Sequence, residues 1–587
     1  KINQMKDKES FIGLLRLINQ IFGHIGKKRK KQYGLFLVLT MLGAFAEIIS
    51  LSSIIPFIVA LSNPLEILDY KVIAFMANIL GINEPSDLII FITTFFIFAT
   101  ILAGTCRLIL LRYSITLANL TGADVSIKIF NLTLYQPYQV HISRNSSEVI
   151  SNITMKVNMA IVVLTSMITA ISSFVLFSVL IITLLIIDPF ICLVAFFTFG
   201  ISYLIIANLS KKTLKANSIK LAESQNQVMK NLQEGMSAIR EILLENIQNI
   251  YRDNYASSII SLKKATSNNA FINQYPRLVL ESTGLILIAS LAVYYSFSRY
   301  DGVSDMLPVL GALAYGAQRL LPLMQQFYAN WAYVTGSQAQ LVDVNTMLSQ
   351  EIHKDSFEIE SDINFKNTIT LKNISFRYEG ETKDVLNDIN YEIQKGSRIG
   401  ITGTTGSGKS TLMDIILGLL KPKSGSIIVD GQEINSKNIL SWQKNIAHVP
   451  QNIFLLDASI EKNIAFSQEE NNIDKELVKY CAKQAQLDKF IESSTLGYQT
   501  MVGERGVRLS GGQLQRIGIA RALYKKANIL VFDEATSALD YETEEEVMKS
   551  IRSLSGELTI FIVAHRVSTI EFCDNVINLK NNSLIQN

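Results

Sequence analysis

Long apolar runs separated by polar, helix-patterned stretches fill roughly the first 335 residues of the chain. Runs of 20 or more mainly apolar residues fall at about 34–62, 87–115, 160–187, 189–209, 277–297 and 306–334, each long enough to cross a bilayer as a helix. Asp188-Pro189 predicts a tight outer turn between the third and fourth. The stretches between the second and third runs and between the fourth and fifth, such as Lys211 to Leu262, are polar but keep helical spacing. Ahead of the first run, residues 8–25 place Phe11, Leu14, Leu15, Leu17, Ile18, Ile21 and Phe22 at helical spacing, which predicts a helix lying along the membrane surface. Lys27-Lys28-Arg29-Lys30-Lys31 follows, and positive charge beside a first span puts the N-terminus on the cytoplasmic side. Six crossings return the chain to that side.

Two further segments stand out by pattern. Between the first two spans, Leu68, Val72, Phe75, Met76 and Ile79 share one face of a helix expected over 64–80, with Glu66, Asp69 and Lys71 off it. Such a helix lies at the outer membrane surface or packs on the ends of the spans. Residues 338–362 lose the apolar runs and gain Glu351, Lys354, Asp355, Glu358, Glu360 and Asp362, which reads as a linker. The expected domains are a membrane domain over 1–337, a linker over 338–362 and a further domain over 363–587.

Composition agrees with the spans. Hydrophobic residues make up 49% and charged residues 18%, too apolar for a wholly soluble enzyme. A net charge of +3 is too small to argue for a nucleic-acid partner. Cys106, Cys192, Cys481 and Cys573 lack C-x-x-C spacing, so neither a disulfide framework nor a cysteine metal site is expected. The first long apolar run begins after residue 33, so no signal peptide is expected.

The last third carries the chemistry. Gly403-Thr404-Thr405-Gly406-Ser407-Gly408-Lys409-Ser410 fits G-x-x-x-x-G-K-[ST], after an apolar strand (Arg398 to Thr402) and before a helical run from Leu412 to Leu420. Glycines let backbone N–H groups turn onto phosphate oxygens, and the following helix adds its N-terminal partial charge. Lys409 brings a point charge to the phosphates, and Ser410 a hydroxyl for Mg²⁺. About a hundred residues on, the apolar strand Ile529-Leu530-Val531-Phe532 ends in Asp533-Glu534. That places Asp533 near Mg²⁺ and Glu534 where a base polarises the attacking water. His565 follows another apolar strand, Leu558 to Ala564.

With Leu509-Ser510-Gly511-Gly512-Gln513 between these motifs, residues 365–587 resemble the nucleotide-binding cassette of ATP-binding cassette (ABC) transporters. The resemblance implies an α/β P-loop NTPase cassette fused to an α-helical transmembrane bundle of six spans with long cytoplasmic extensions. It implies ATP and Mg²⁺ as cofactors. The phosphate loop with Thr411 would hold ATP, Tyr378 would stack on adenine, and Ser410, Gln451 and Asp533 would hold Mg²⁺. Ser510, Gly511, Gly512 and Gln513 would close over a partner's ATP, Ser537 to Asp540 would cross the dimer interface, and Glu534 and His565 would be catalytic. No internal repeat is visible, so the chain is expected to be half of a two-fold assembly, a homodimer or a heterodimer with a related half. Coupling helices are expected near 141–151 and 235–246, and the bacterial inner membrane as location, with the cassette in the cytoplasm.

Charges inside spans cost from about 3 kcal/mol upward, so they are functional candidates. The first span holds Glu47, the second Arg107 and Arg112, the fifth Arg277 and Glu281, and the sixth Arg319. Pairing with Glu47 and Glu281 neutralises two arginines but not four. Excess positive charge facing a cavity suits an anionic substrate, and the planar guanidinium suits phosphate. Glu47 to Phe57, Cys106-Arg107-Leu108, Tyr275 to Glu281 and Gln318 to Pro322 resemble the PglK family of bacterial lipid-linked oligosaccharide flippases. That resemblance implies that Arg107, Arg277 and Arg319 guide the pyrophosphate-sugar head of a lipid-linked substrate within the membrane. One departure is Gln326, where that family has a further arginine.

Overall fold

A computed structural model describes residues 11–62, 85–187, 189–298, 303–350, 361–503, 506–533, 541–554, 558–563, 573–580 and 583–585. Its contacts divide the chain into two units, one of residues 1–135 and 144–351, the other of residues 136–143 and 352–587.

The first unit is helical. It begins with α1 (Phe11–Gly23), α2 (Lys27–Ser52), α3 (Ile54–Ser62) and the 50-residue α4 (Pro85–Leu134). The short α5 (Tyr138–Ser143) groups with the second unit. Next come α6 (Ser146–Ser151), a π-helical turn (Asn152–Lys156), α7 (Val157–Ile187) and α8 (Pro189–Ser237). The unit closes with α9 (Ile239–Leu244), α10 (Gln248–Ser298), α11 (Val303–Gly336) and α12 (Gln338–Leu348). All six expected spans fall within α2–α3, α4, α7, α8, α10 and α11. Among the described residues, Lys27–Leu61, Ser86–Leu134 and Ser147–Thr183 are each long and apolar enough to cross a membrane. The first span breaks at Ser53, and Pro56 lies in the first turn of α3, where its missing N–H removes no helical bond.

Small residues set the closest helix approaches. A Cβ on Gly122 would fall 1.9 Å from Ile161 Cγ1, and one on Gly43 would fall 2.7 Å from Leu110 Cδ1. Polar pairs cross-link the helices: Tyr328 donates to Ser210 Oγ at 3.0 Å, Asn217 Nδ2 to Asn269 Oδ1 at 2.8 Å, and Ser173 Oγ to Gln326 Oε1 at 2.9 Å.

Three expectations change. Leu17 and Ile21 of α1 are each 1% exposed and Gln20 accepts a hydrogen bond from Asn345, so this part of the apolar face packs on protein rather than on lipid. The stretch expected as a linker begins as the ordered helix α12, whose Gln340, Leu341, Val344, Asn345, Met347 and Leu348 are buried within the first unit. The short helix that groups with the cassette is 138–143, ahead of the expected 141–151, because Asn145 caps a separate helix through Ser147 N–H. The second expected position contains α9. The helix expected over 64–80 and Asp188 lie outside the described residues.

The second unit holds two sheets. Strands β1 (Thr368–Phe376), β2 (Leu386–Gln394), β4 (Ser424–Val429) and β5 (Gln432–Glu433) form an antiparallel sheet in the order β2-β1-β4-β5. Strands β3 (Arg398–Gly403), β6 (Ile446–Val449), β7 (Ile529–Asp533), β8 (Thr559–Val563), β9 (Asn575–Lys580) and β10 (Ser583–Ile585) form the second, in the order β10-β9-β3-β8-β7-β6. Its strands pair in parallel except at β9–β10. Ile529 to Phe532 are at most 3% exposed, the continuous apolar run of a strand covered on both faces.

Candidate nucleotide site and membrane cavity

Parallel pairing gathers the candidate residues at one end of the second sheet. Ile401 pairs with Val563, Val563 with Asp533, and Phe532 with Val449. The phosphate loop after β3, Asp533 at the end of β7 and Gln451 just after β6 therefore emerge from the same edge, where α/β sheets bind ligands. The strand ending at Asp533 is not the direct neighbour of β3, since β8 lies between them. Glu534, His565 and Ser537 to Asp540 lie outside the described residues, although β7 and β8 lead into them.

Gly403, Gly406 and Gly408 take φ of 153°, 83° and 94°. At Gly403 a side chain would meet Leu579 O and Ser407 Oγ at 2.5 Å, and at Gly408 it would meet Leu386 Cδ2 at 2.8 Å. The spacing of glycines is thus a steric requirement here. Gly408 is the N-cap of α13 (Lys409–Ile416). Lys409 Nζ is drawn over the loop, donating to the carbonyls of Gly403 at 2.9 Å and Thr404 at 3.2 Å. Thr404, Thr405, Gly406 and Ser410 are exposed, whereas Ser407 and Thr411 are buried. Tyr378 and Thr411 share a hydroxyl–hydroxyl hydrogen bond of 3.1 Å, and Phe376 packs edge-on against the tyrosine ring. The expected adenine-stacking residue therefore stands beside the phosphate loop.

The site fits a magnesium nucleotide on its own chemistry. Ser407 Oγ is buried without a hydrogen-bond partner among the described residues. Asp414, one turn beyond Lys409, is pushed up to about 6 by burial and then by the charge of Asp533. Two carboxylates that raise each other's cost suit a divalent cation. No motif points to Asp414. The phosphate loop and Lys409 would hold the phosphates, and Ser410, Gln451 and Asp533 the Mg²⁺. When bound, Mg²⁺ would neutralise charge on the phosphate oxygens.

Ser510 caps α15, which we number after the helix α14 (Ile460–Ile464) and which runs over Gly511–Tyr524. Ser510 N–H donates to Gln513 Oε1 at 2.9 Å, and Gln513 N–H donates to Ser510 Oγ at 3.3 Å. This capping box leaves Gly511 and Gly512 in the first turn, with the helix end pointing N–H groups outward.

In the first unit, Arg107 donates from Nε to Glu47 across 60 residues of sequence. Both line a cavity of about 490 Å³ with Ser114, Thr169, Ser173 and Gln326. Arg277 pairs at 2.7 Å with Glu281 on its own helix, both are exposed, and neither lines this cavity. Arg319 lies on α11. Of the three arginines expected at one site, Arg107 lines this cavity and Arg277 does not, while the side chain of Arg319 lies outside the described residues; the two acids pair as the alternative reading had it.

Residues 386–537 match the ABC transporter family, and residues 33–304 match the ABC transporter transmembrane region. A helical membrane unit joined to this cassette defines an ABC half-transporter. The two matches give the chain the transmembrane region and the cassette of ABC transporters, and the phosphate loop of that cassette suits ATP with Mg²⁺. It is similar to the leukotoxin translocation ATP-binding protein LktB of a Pasteurella haemolytica-like species, 40% identical over 265 residues, 45% of this chain and 36% of that protein. LktB of Mannheimia glucosida is 42% identical over 229 residues, 39% of this chain and 31% of that protein. The chain thus spans about a third of the length of these relatives. A bacterial Atm1-family ABC exporter solved with ATP bound shares the fold, with a TM-score of 0.75 at 22% identity over 95% of this chain and 94% of that one.

Proposed function

We propose that two copies of this chain form an ATP-driven exporter in a bacterial inner membrane, and that the cargo is an amphipathic molecule of the lipid-linked oligosaccharide class. The observation that carries the substrate reading is the cavity holding Arg107, Glu47, Ser173 and Gln326 within the span bundle. Hydroxyls, an amide and an ion pair are costly there and match a hydrated head group. Because Glu47 already balances Arg107, an anionic head would have to compete with that carboxylate. A hydrocarbon tail stays in lipid.

In this reading Glu534 acts as the base toward water and His565 assists it. Ser510 to Gln513 of one copy close over the loop Gly403–Ser410 of the other. Helices α5 and α9 would carry that closure to the spans. A second reading, export of a polypeptide, is favoured by the leukotoxin translocators among the relatives and by Gln326 standing where the PglK family has an arginine.

The test is reconstitution of the full chain in proteoliposomes. Polyprenyl-pyrophosphate sugar should raise ATP turnover and be flipped in an ATP-dependent way, while drugs and unfolded peptides do neither. Stimulation by peptides alone would replace the lipid-linked reading with the polypeptide one.

A further inference from the structure

The stretch that follows Gln451 is fastened to the signature helix at two successive residues. Ile453 seats directly on Gly518 of α15, where an added Cβ would fall 2.4 Å from Ile453 Cδ1 and 3.1 Å from Cγ1. At the next residue, the carbonyl of Phe454 accepts from Arg521 Nη1 at 2.8 Å, one turn further along the same helix. The other edge of the Arg521 fork reaches α14, with Nε donating to the carbonyl of Asn463 at 2.8 Å and Nη2 to Asn463 Oδ1 at 3.2 Å. Asn463 is fully buried and closes the circuit: its Oδ1 accepts from Leu456 N–H at 2.9 Å, and its Nδ2 donates to Leu456 O at 3.0 Å and Ser459 O at 3.1 Å. The guanidinium also lies 4.6 Å from the centre of the Phe466 ring. Each of these partners is neutral, and burial draws the arginine down to about 10, so it stays charged at neutral pH without an acid in this network.

A half-buried cation held by neutral oxygens is an expensive way to stabilise a fold that apolar packing would stabilise as well. Its planar fork does what packing does not, fixing three acceptors in one plane. We propose that Arg521 is a positioning residue that makes the Gln451 stretch and the signature helix move as one body, with the Ile453–Gly518 seat as its second contact. The inference rests on the ABC ATPase assignment. Gln451 belongs to the Mg²⁺ side of one nucleotide site and Ser510 to the face that closes over another. A rigid link between them makes the occupancy of one site felt at the other, and turnover depends on that link more than nucleotide binding does.

The full chain purified in detergent tests this with three measurements: ATP turnover, binding of a fluorescent ATP analogue, and melting temperature. Arg521→Lys keeps the charge over Phe466 but loses the fork. It should lower kcat at least tenfold while KM and analogue binding stay within about threefold and melting within a few degrees. Gly518→Ala favours helix and only pushes Ile453, so it should also lower kcat. Adding Ile453→Val, which removes the offending Cδ1, should restore most of the loss. Turnover of Arg521→Lys within twofold of wild type would overturn the proposal. So would a fall of turnover, binding and melting together, or a Gly518→Ala defect that Ile453→Val does not relieve. An inactive wild-type chain would instead strike at the ATPase assignment.

Discussion

Lys156 Nζ lies 2.6 Å from Asp343 Oδ2, which ties the π-helical turn to α12; the lysine side chain is 1% exposed and the aspartate 39%. The burial is one-sided, so the two ends of the pair are not equivalent. Removing the acid strands an ammonium in the protein interior, whereas replacing the lysine with an apolar chain of similar length leaves a half-exposed carboxylate that water can serve. Asp343→Asn is expected to destabilise by about 2–4 kcal/mol and Lys156→Met by less than about half of that. Melting of the detergent-purified variants gives the order, and equal losses would show that the lysine's burial is not what matters.

Glu47 and Arg107 give the corresponding pair inside the membrane, with the Glu47 side chain 4% exposed. Arg107→Gln should abolish flipping of a lipid-linked sugar while basal ATP hydrolysis stays within about twofold. Arg107→Gln with Glu47→Gln should melt higher than Arg107→Gln alone, because the second change removes the stranded carboxylate. Normal flipping by Arg107→Gln would remove the arginine from the transport path.

Glu534→Gln keeps the shape of the side chain and removes its basicity. ATP turnover is expected to fall by orders of magnitude while nucleotide binding persists. Single-turnover hydrolysis measures it, and near-normal turnover would end the assignment of Glu534 as base.

His448 on β6 is held down to about 4 by burial, and its Nε2 lacks a hydrogen-bond partner among the described residues. Its folded pKa is below the unfolded value, so between about 4 and 6.5 the unfolded chain binds more protons. Stability is therefore full above pH 6.5 and falls as pH drops toward 4, by on the order of 2 kcal/mol at pH 5. His448→Gln should flatten that part of the melting profile from pH 7.5 to 5. An unchanged slope would mean that other groups set it.

What could be read from the sequence follows from how local each constraint is. The phosphate loop is one contiguous stretch whose glycines are required by φ and by close contact at Gly403 and Gly408, so its residues announce themselves. The spans were readable because a bilayer demands length and apolarity together. Pairings between distant positions were not: Glu47 finding Arg107 was one of two open readings, and only the packing of α2 against α4 decides it. The stretch holding α12 reads as linker because it loses the long apolar runs and gains charge after it, yet Gln340 and Asn345 of α12 are buried. Lys156 and Asp414 belong to no sequence motif. Each matters through a neighbour that no spacing rule names.

The π-helical turn at Asn152–Lys156 sets the azimuth of an entire span. A wide turn of this kind takes up one extra residue, and one residue corresponds to about 100° of helical rotation. Everything from Val157 to Ile187 is thereby turned relative to the helix that precedes it. Thr169, Ser172 and Ser173 line the cavity of Arg107 in this setting, while Phe174 and Phe177 line an apolar one on the adjoining face. Were the turn to tighten to α-helical pitch, the span would rotate and present a different stripe to the cavity without any change in its tilt or length. A single wide turn at the base of α7 thus works as a dial for what the membrane cavity is made of.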